Sequence, residues 1–125
     1  MKEGSMRVVL IDFDGTITQE NLFPEIGKVR NHAFEAIKTL QKRGWTCCLW
    51  TCRTGETLNK AKRFLETNGV FMDYYNESPY DDRNFAGRKP IADVYIDDAA
   101  YPVKLNKDAF INWDEIVRVL TGQSI

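Results

Sequence analysis

Short apolar runs alternate with longer amphipathic stretches along the whole chain. Runs rich in β-branched and aromatic residues suit buried strands, and apolar positions spaced three and four apart suit helices with one buried face. The pattern predicts five strands, at Arg7–Asp12, Trp45–Trp50, Val70–Tyr75, Ala92–Ile96 and Ala109–Ile111. It predicts three helices, at Asn31–Arg43, at Gly55–Asn68 and from Trp113 onward. This alternation predicts a single α/β, Rossmann-like domain with a mostly parallel central sheet and helices on both faces.

Two longer connections interrupt this alternation. Pro24 and Gly27 break the segment Ile17–Val29, which we interpret as a flap-like loop or, equally well, a plain connector. The segment Asn76–Pro90 is polar and, at about fifteen residues, long for a compact domain, which indicates function or mobility.

The first predicted helix contains the only histidine of the chain. Asn31 is the expected N-cap of this helix. For His32 we predict a surface or capping role rather than catalysis, because a catalytic base needs a positioned neighbour.

Composition narrows the class of protein. A chain of 125 residues with 43% apolar and 28% charged residues fits one globular domain. Met1–Ser5 precede a second methionine and suggest a cloning remnant or a disordered N-terminus, so we assign the domain to residues 6–125. The net charge of −1 provides no field for strong binding to nucleic acid or to a membrane.

Cysteine usage and the lack of long apolar runs indicate the compartment. The three cysteines Cys47, Cys48 and Cys52 are clustered and odd in number, which argues against a disulfide framework. No apolar run approaches the roughly 20 residues that span a bilayer, and the N-terminus does not have the pattern of a signal peptide. We therefore expect a cytoplasmic protein that does not bind membranes.

Polar and charged residues follow several predicted strands where each strand ends. They are Asp12 and Asp14 after the first strand, Thr51 after the second, Asp97 and Asp98 after the fourth, and Lys89 just before the fourth. The carboxyl ends of parallel strands meet at one edge of a sheet, so these residues can converge although they are distant in sequence.

Four carboxylates at one edge predict a magnesium site that also binds phosphate. Mg²⁺ prefers oxygen ligands and shares substrate phosphate oxygens. A hydroxyl, a lysine and backbone N–H groups can hold the phosphate, and the predicted phosphate-binding set is Thr51, Lys89, Gly15 and Cys52. One carboxylate can then attack phosphorus to form an acyl phosphate, and a second can protonate the leaving oxygen and later deprotonate water.

The order of these motifs resembles the haloacid dehalogenase superfamily, and in particular its small capless phosphohydrolases. The motifs are Asp-Phe-Asp-Gly-Thr-Ile-Thr from Asp12, Leu-Trp-Thr ending at Thr51, and Arg-Lys-Pro-Ile-Ala-Asp-Val-Tyr-Ile-Asp-Asp ending at Asp98. The resemblance spans Arg7 to Asp98. It implies that Asp12 is the nucleophile, Asp14 the general acid/base, and Thr51 and Lys89 the phosphate-binding residues.

The resemblance also implies a metal site and a reaction. Mg²⁺ would be held by the Asp12 carboxylate, the Asp14 carbonyl and the pair Asp97 and Asp98, with Asp98 favoured as the direct ligand. An acid at position 14 points to hydrolysis of phosphate monoesters, because the dehalogenases of this superfamily lack an acid there and its ion-pumping ATPases have Thr.

Neither long connection is large enough to form one of the cap domains found in this superfamily. We therefore expect an open site for a phosphorylated small molecule or macromolecule, or a site covered by a second copy in a homo-oligomer. Tyr80, Arg83 and Arg88 of the second connection are candidate substrate contacts, although a solvated charged loop explains them equally well.

Three other functions fit parts of the sequence. Cys47 and Arg53 match the Cys-x5-Arg pattern of cysteine phosphatases, but the intervening residues form a strand end rather than a Gly-rich phosphate loop. A non-catalytic phosphate- or metal-binding module could use the same fold. A 3′ nucleic-acid-end phosphatase, similar to the phosphatase domains of polynucleotide kinases, would need more basic contacts than a neutral chain offers.

Overall fold

A computed structural model describes residues 7–80, 92–97 and 111–125. Its elements are β1 (Arg7–Ile11), α1 (Ala33–Lys42), β2 (Trp45–Leu49), α2 (Gly55–Thr67), β3 (Tyr74–Tyr75), β4 (Val94–Ile96) and α3 (Trp113–Thr121). The four strands are all parallel and lie in the order β3-β2-β1-β4. The predicted α/β fold with a parallel central sheet is confirmed.

Strand β1 is central because it pairs on both sides. Ile11 lies opposite Leu49 of β2 and opposite Ile96 of β4. The apolar run from Val8 to Ile11 is almost completely buried. A continuous apolar run is what a strand covered on both faces requires, and this strand brings the residues that follow it to the middle of the carboxyl edge.

The two faces of the sheet are packed differently. Val9 and Ile11 belong to a large cluster that contains the buried side chains of all three helices. Val8, Leu10 and Cys48 form a smaller cluster on the opposite face. The three described helices therefore pack on one face, and within residues 7–80, 92–97 and 111–125 the predicted helices on both faces are not found.

The third predicted strand is much shorter in the structure, and most of the fifth lies outside the described residues. Strand β3 was expected at Val70–Tyr75 but has only two residues. The Val70 N–H donates to the Leu65 carbonyl oxygen (2.9 Å) at the end of α2, so this residue completes the helix end instead of the sheet. Of the predicted fifth strand, only Ile111, which is buried, lies within the described residues.

The start of α1 corrects the prediction for Asn31. The N-cap is His32, in a left-handed conformation (φ 64°), and its side chain makes no cap bond. Its ring Nδ1 instead lies 2.8 Å from an Asp114 Oδ1 at the start of α3, where both side chains are about half exposed. The predicted surface position of the single histidine is confirmed, and its partner is a carboxylate that the sequence pattern did not reveal.

The connection between β1 and α1 is a loop closed at its base. Thr18 and Val29 form an antiparallel bridge, and the Gln19 N–H donates to the Lys28 carbonyl oxygen (2.7 Å). This geometry fits both the flap-like interpretation and the plain connector. No helix within the described ranges is long and apolar enough to cross a bilayer.

Candidate functional site

Polar residues follow all four strands at the carboxyl edge of the sheet. They are Asp12 after β1, Thr51 after β2, Asn76 after β3 and Asp97 after β4. The Asp12 N–H donates to the Ile96 carbonyl oxygen (3.0 Å), which aligns the ends of β1 and β4. Asp12 and Asp97 line the same shallow, almost filled depression, so two of the predicted site residues are neighbours at this edge of the sheet.

Asp12 is oriented by its neighbour in sequence. Phe13 is completely buried in the large cluster, and its ring meets the Phe64 ring of α2 edge to face. The Phe13 N–H donates to Asp12 Oδ1 (2.7 Å). Because the phenylalanine is anchored in the core, the half-buried carboxylate beside it is held at the sheet edge.

Asp14 forms a buried ion pair with Arg53. The Arg53 Nε donates to Asp14 Oδ2 and its Nη2 donates to Asp14 Oδ1, both at 2.8 Å. The arginine side chain is 0% exposed and that of the aspartate 10%. Such two-point pairing fixes the orientation of both planar groups.

Arg53 also contacts the loop between Thr18 and Val29, which is called the flap below. Its Nη1 donates to the Pro24 carbonyl oxygen (3.2 Å) and its Nη2 to the Glu25 carbonyl oxygen (2.8 Å). The guanidinium carbon lies 5.2 Å from the ring centroid of Phe13 and 5.1 Å from that of Phe23. One buried cation therefore connects the Asp14 carboxylate with the flap.

From the sequence, Arg53 was considered only as part of a cysteine phosphatase pattern, and this role was missed. Its position two residues after Thr51 and just before the N-cap of α2 was the available signal. Both Asp14 oxygens accept from Arg53, and each keeps a second lone pair through which the carboxylate could exchange a proton with a substrate.

The turn at Gly15 is fixed from both sides. Its φ of +86° lies in the left-handed region that favours glycine. The Gly15 N–H donates to Thr18 Oγ1 (3.0 Å), and the buried Arg30 donates from Nη2 to the Gly15 carbonyl oxygen (2.8 Å). The predicted donation from Gly15 to a phosphate would require its N–H to leave Thr18.

Thr51 and Cys52 lie in the loop that joins β2 to α2. Thr51 is buried, and its Oγ1 accepts the Arg53 N–H (3.2 Å). A hydroxyl that accepts one hydrogen bond can still donate its own proton, so the predicted role of Thr51 agrees with its placement. Cys52 is exposed beside it.

Tyr80 does not lie where a substrate contact was predicted. Its hydroxyl donates to Asp93 Oδ2 (2.9 Å), which also accepts the Val8 N–H (2.8 Å) near the amino end of β1. The phenol finds this acceptor at the edge of the sheet opposite Asp12. The other predicted site residues, Lys89, Asp98, Arg83 and Arg88, lie outside the described residues.

The structure gives no support to a cysteine phosphatase. Cys47 lies within β2 and is completely buried. Burial raises the pKa of its thiol well above the usual value, and the nearby Asp73 charge adds to this increase. A thiol that stays protonated is a poor nucleophile.

We expect alkylation to separate the three cysteines. Iodoacetamide at pH 8 should modify the exposed Cys52 in the native protein and leave the buried Cys47 and Cys48 unmodified, because only an accessible thiol with appreciable thiolate reacts. Mass spectrometry of peptides from native and urea-unfolded protein measures the pattern. Modification of native Cys47 as fast as of Cys52 would restore the cysteine phosphatase hypothesis.

Comparison with known proteins supports the fold. No family model and no curated protein matches the chain. The chain is similar to a solved structure described as a conserved protein coded by a locus from Bacteroides thetaiotaomicron. The two are 28% identical, the match covers 97% of this chain and 94% of that chain, and the TM-score is 0.78. The parallel α/β fold is therefore shared along nearly the whole length of both chains.

Proposed function

We propose that this chain is a Mg²⁺-dependent phosphatase of the haloacid dehalogenase type that hydrolyses phosphate monoesters through an aspartyl-phosphate on Asp12. The observation that carries the proposal is the placement of Asp12 and Asp97 as neighbours at the carboxyl edge of a parallel sheet. In open α/β sheets, ligands bind at this edge. The proposal accounts for the strand-end aspartates and for the buried threonine after β2.

The residues of the chain divide the reaction between them. An Asp12 carboxylate oxygen attacks phosphorus, the bond to the leaving oxygen breaks, and Asp14 delivers a proton to that oxygen. Asp14 then takes a proton from water, which attacks the phosphorus of the acyl phosphate and releases phosphate and the Asp12 carboxylate. Thr51 donates a hydrogen bond to a phosphate oxygen.

The chemistry of the donor set fits magnesium. Asp12 and Asp97 are neighbours at the sheet edge and carry carboxylate oxygens, and hard oxygen ligands are those that Mg²⁺ prefers. Within residues 7–80, 92–97 and 111–125, no three His, Cys, Asp or Glu side chains are grouped to hold a metal ion. Two carboxylates are enough for an ion that keeps several waters and shares substrate oxygens. When bound, it neutralises negative charge on the phosphate.

A binding module without turnover is the second candidate function. The ion pair between Asp14 and Arg53 favours it, because a carboxylate held at both oxygens by a buried arginine suits a structural role as well as it suits proton transfer. Such a protein would bind phosphate or a metal at the same edge of the sheet and would release no product.

Phosphate release with and without metal distinguishes the two functions. We expect release from at least one phosphate monoester in a screen of sugar phosphates, nucleotides, an aryl phosphate and a 3′-phosphorylated oligonucleotide. Release should stop when a chelator removes Mg²⁺ and return when excess Mg²⁺ is added. Turnover that is indifferent to the chelator would contradict the proposal. No release from any substrate, together with calorimetric binding of phosphate, would favour the binding module.

A further inference from the structure

The side chain of Asn76 bridges two backbone groups of the loop that joins β2 to α2. Its Oδ1 accepts the Thr51 N–H (2.8 Å), and its Nδ2 donates to the Arg53 carbonyl oxygen (3.2 Å). Its own backbone N–H donates to the Leu49 carbonyl oxygen (2.7 Å). The chain is thus held at three points between the last residue of β2 and the residue before the N-cap of α2.

The held loop contains both groups that the proposed reaction needs from this part of the chain. Thr51 carries the hydroxyl that would bind phosphate. Arg53 carries the guanidinium that pairs with both oxygens of Asp14. The two residues are linked directly as well, since the Arg53 N–H donates to Thr51 Oγ1 (3.2 Å). A shift of this loop would move the threonine hydroxyl and the partner of Asp14 together.

The residue type and backbone conformation at position 76 suit this bridge. Asn76 has a φ of 56°, in the left-handed region that Asn adopts more readily than most residues other than Gly. The bridge needs an acceptor on one side and a donor on the other, and only a carboxamide offers both at this length. Aspartate or leucine at this position, although similar in size, would lack the donor to the Arg53 carbonyl oxygen, and leucine would also lack the acceptor for the Thr51 N–H.

We propose that Asn76 is a positioning residue for the phosphate site, holding the loop that carries Thr51 and Arg53. The proposal rests on the proposed function for its catalytic meaning, and on the two side-chain hydrogen bonds for its structural basis. Asn76 itself is assigned no contact with substrate. Its contribution is to fix where the threonine hydroxyl lies and how Arg53 orients Asp14.

Two variants of Asn76 separate its two bonds. Asn76→Gly removes both and keeps the left-handed backbone accessible. Asn76→Asp keeps an acceptor for the Thr51 N–H and places an oxygen where the donor to the Arg53 carbonyl was. The matched control is Asp73→Ala. Asp73 Oδ2 accepts the N–H of Cys47 in β2 (2.8 Å), so it also supports this part of the chain, but away from the proposed site.

Three measurements on the full chain test the inference. They are steady-state kinetics with Mg²⁺ and the best substrate of the screen, calorimetric binding of inorganic phosphate, and the Arg53 Nε–H signal in a nitrogen–proton correlation spectrum. For Asn76→Gly we expect kcat/KM and phosphate affinity to fall by about 10-fold to 100-fold, the usual scale for losing a supporting contact. The Arg53 Nε–H should shift and exchange faster with solvent.

The comparison among the variants decides the outcome. Asn76→Asp should lower kcat/KM and phosphate affinity at least as far as Asn76→Gly, because its carboxylate faces the Arg53 carbonyl oxygen and adds negative charge near the phosphate. Its Arg53 signal, which reports position rather than charge repulsion of the ligand, supplies the test if the glycine variant does not fold. Asp73→Ala should lose comparable stability in urea while its phosphate affinity and Arg53 signal stay as in the wild type. If the Asn76 variants lose only stability, as the control does, Asn76 is a turn residue and the inference is wrong.

Failure of the proposed function gives a different result. A wild-type protein that neither hydrolyses phosphate monoesters nor binds phosphate would overturn the phosphatase proposal. The Arg53 signal and the exchange rate of the Thr51 N–H would still change in Asn76→Gly and not in Asp73→Ala if Asn76 positions this loop. An unchanged Arg53 signal and Thr51 exchange rate would overturn the inference by themselves.

Discussion

Asp12→Asn should lower kcat by about 10⁴-fold or more, because an amide cannot replace the carboxylate nucleophile of an acyl-phosphate mechanism. The substitution preserves the local structure, since the asparagine oxygen can still accept the Phe13 N–H now donated to Oδ1 (2.7 Å). Initial rates of phosphate release measure the effect. Hydroxylamine added during wild-type turnover should convert the acyl phosphate at residue 12 to a hydroxamate, detected by peptide mass spectrometry.

Asp93→Asn is the matched control for this substitution. Asp93 Oδ2 accepts the Val8 N–H (2.8 Å), so it contacts the same strand, β1, at its amino end. We expect the turnover of Asp93→Asn to stay near that of the wild type, because Asp93 lies at the edge of the sheet opposite Asp12. Wild-type turnover in Asp12→Asn, or no hydroxamate at residue 12, would contradict the nucleophilic role of this residue.

Arg53→Met should cause the largest loss of stability, about 3–5 kcal/mol in the free energy of unfolding, since removal of one partner leaves a largely buried carboxylate without its counter-ion. The arginine side chain is 0% exposed and that of Asp14 is 10% exposed. Urea unfolding of the wild type, Arg53→Met, Asp14→Asn and the double variant gives the coupling between the two residues. We expect a coupling of about 1–3 kcal/mol.

Lys60→Ala controls for the flap contacts of Arg53. Lys60 Nζ lies 3.1 Å from Glu25 Oε1 of the flap, but the two side chains are 43% and 73% exposed. An exposed pair of this kind contributes less than about 1 kcal/mol, so this variant should unfold close to the wild type. If Arg53→Met is no more destabilising than Lys60→Ala, the buried pair does not have the stabilising role assigned to it.

The order of the elements could be predicted from the sequence because it depends on local apolar pattern. The run from Val8 to Ile11 indicated a strand covered on both faces, and that is where β1 lies. Strand β3 was overestimated, because Val70 is apolar and buried and yet donates its N–H to the end of α2. Periodicity reports burial, and it does not report which carbonyl accepts a backbone N–H.

The candidate site was predictable only in part for a related reason. Asp12, Asp97 and Thr51 could be found because each follows a strand, and the carboxyl ends of parallel strands converge. The roles of Arg53 and Asn76 depend on contacts across 39 and 25 positions of the chain, respectively. No local pattern marks such partners. Tyr80 was misassigned because its loop placed it near the site in sequence, whereas its hydroxyl binds Asp93.

The position of Arg53 between the flap and Asp14 makes two motions interdependent. The same Nη2 atom donates to Asp14 Oδ1 and to the Glu25 carbonyl oxygen, both at 2.8 Å. A substrate that draws Asp14 away would leave the guanidinium held by the Pro24, Glu25 and Thr57 carbonyl oxygens alone, so its orientation towards the flap would be less restrained. The mobility of the flap would then depend on whether the carboxylate is engaged by substrate, because Arg53 contacts both.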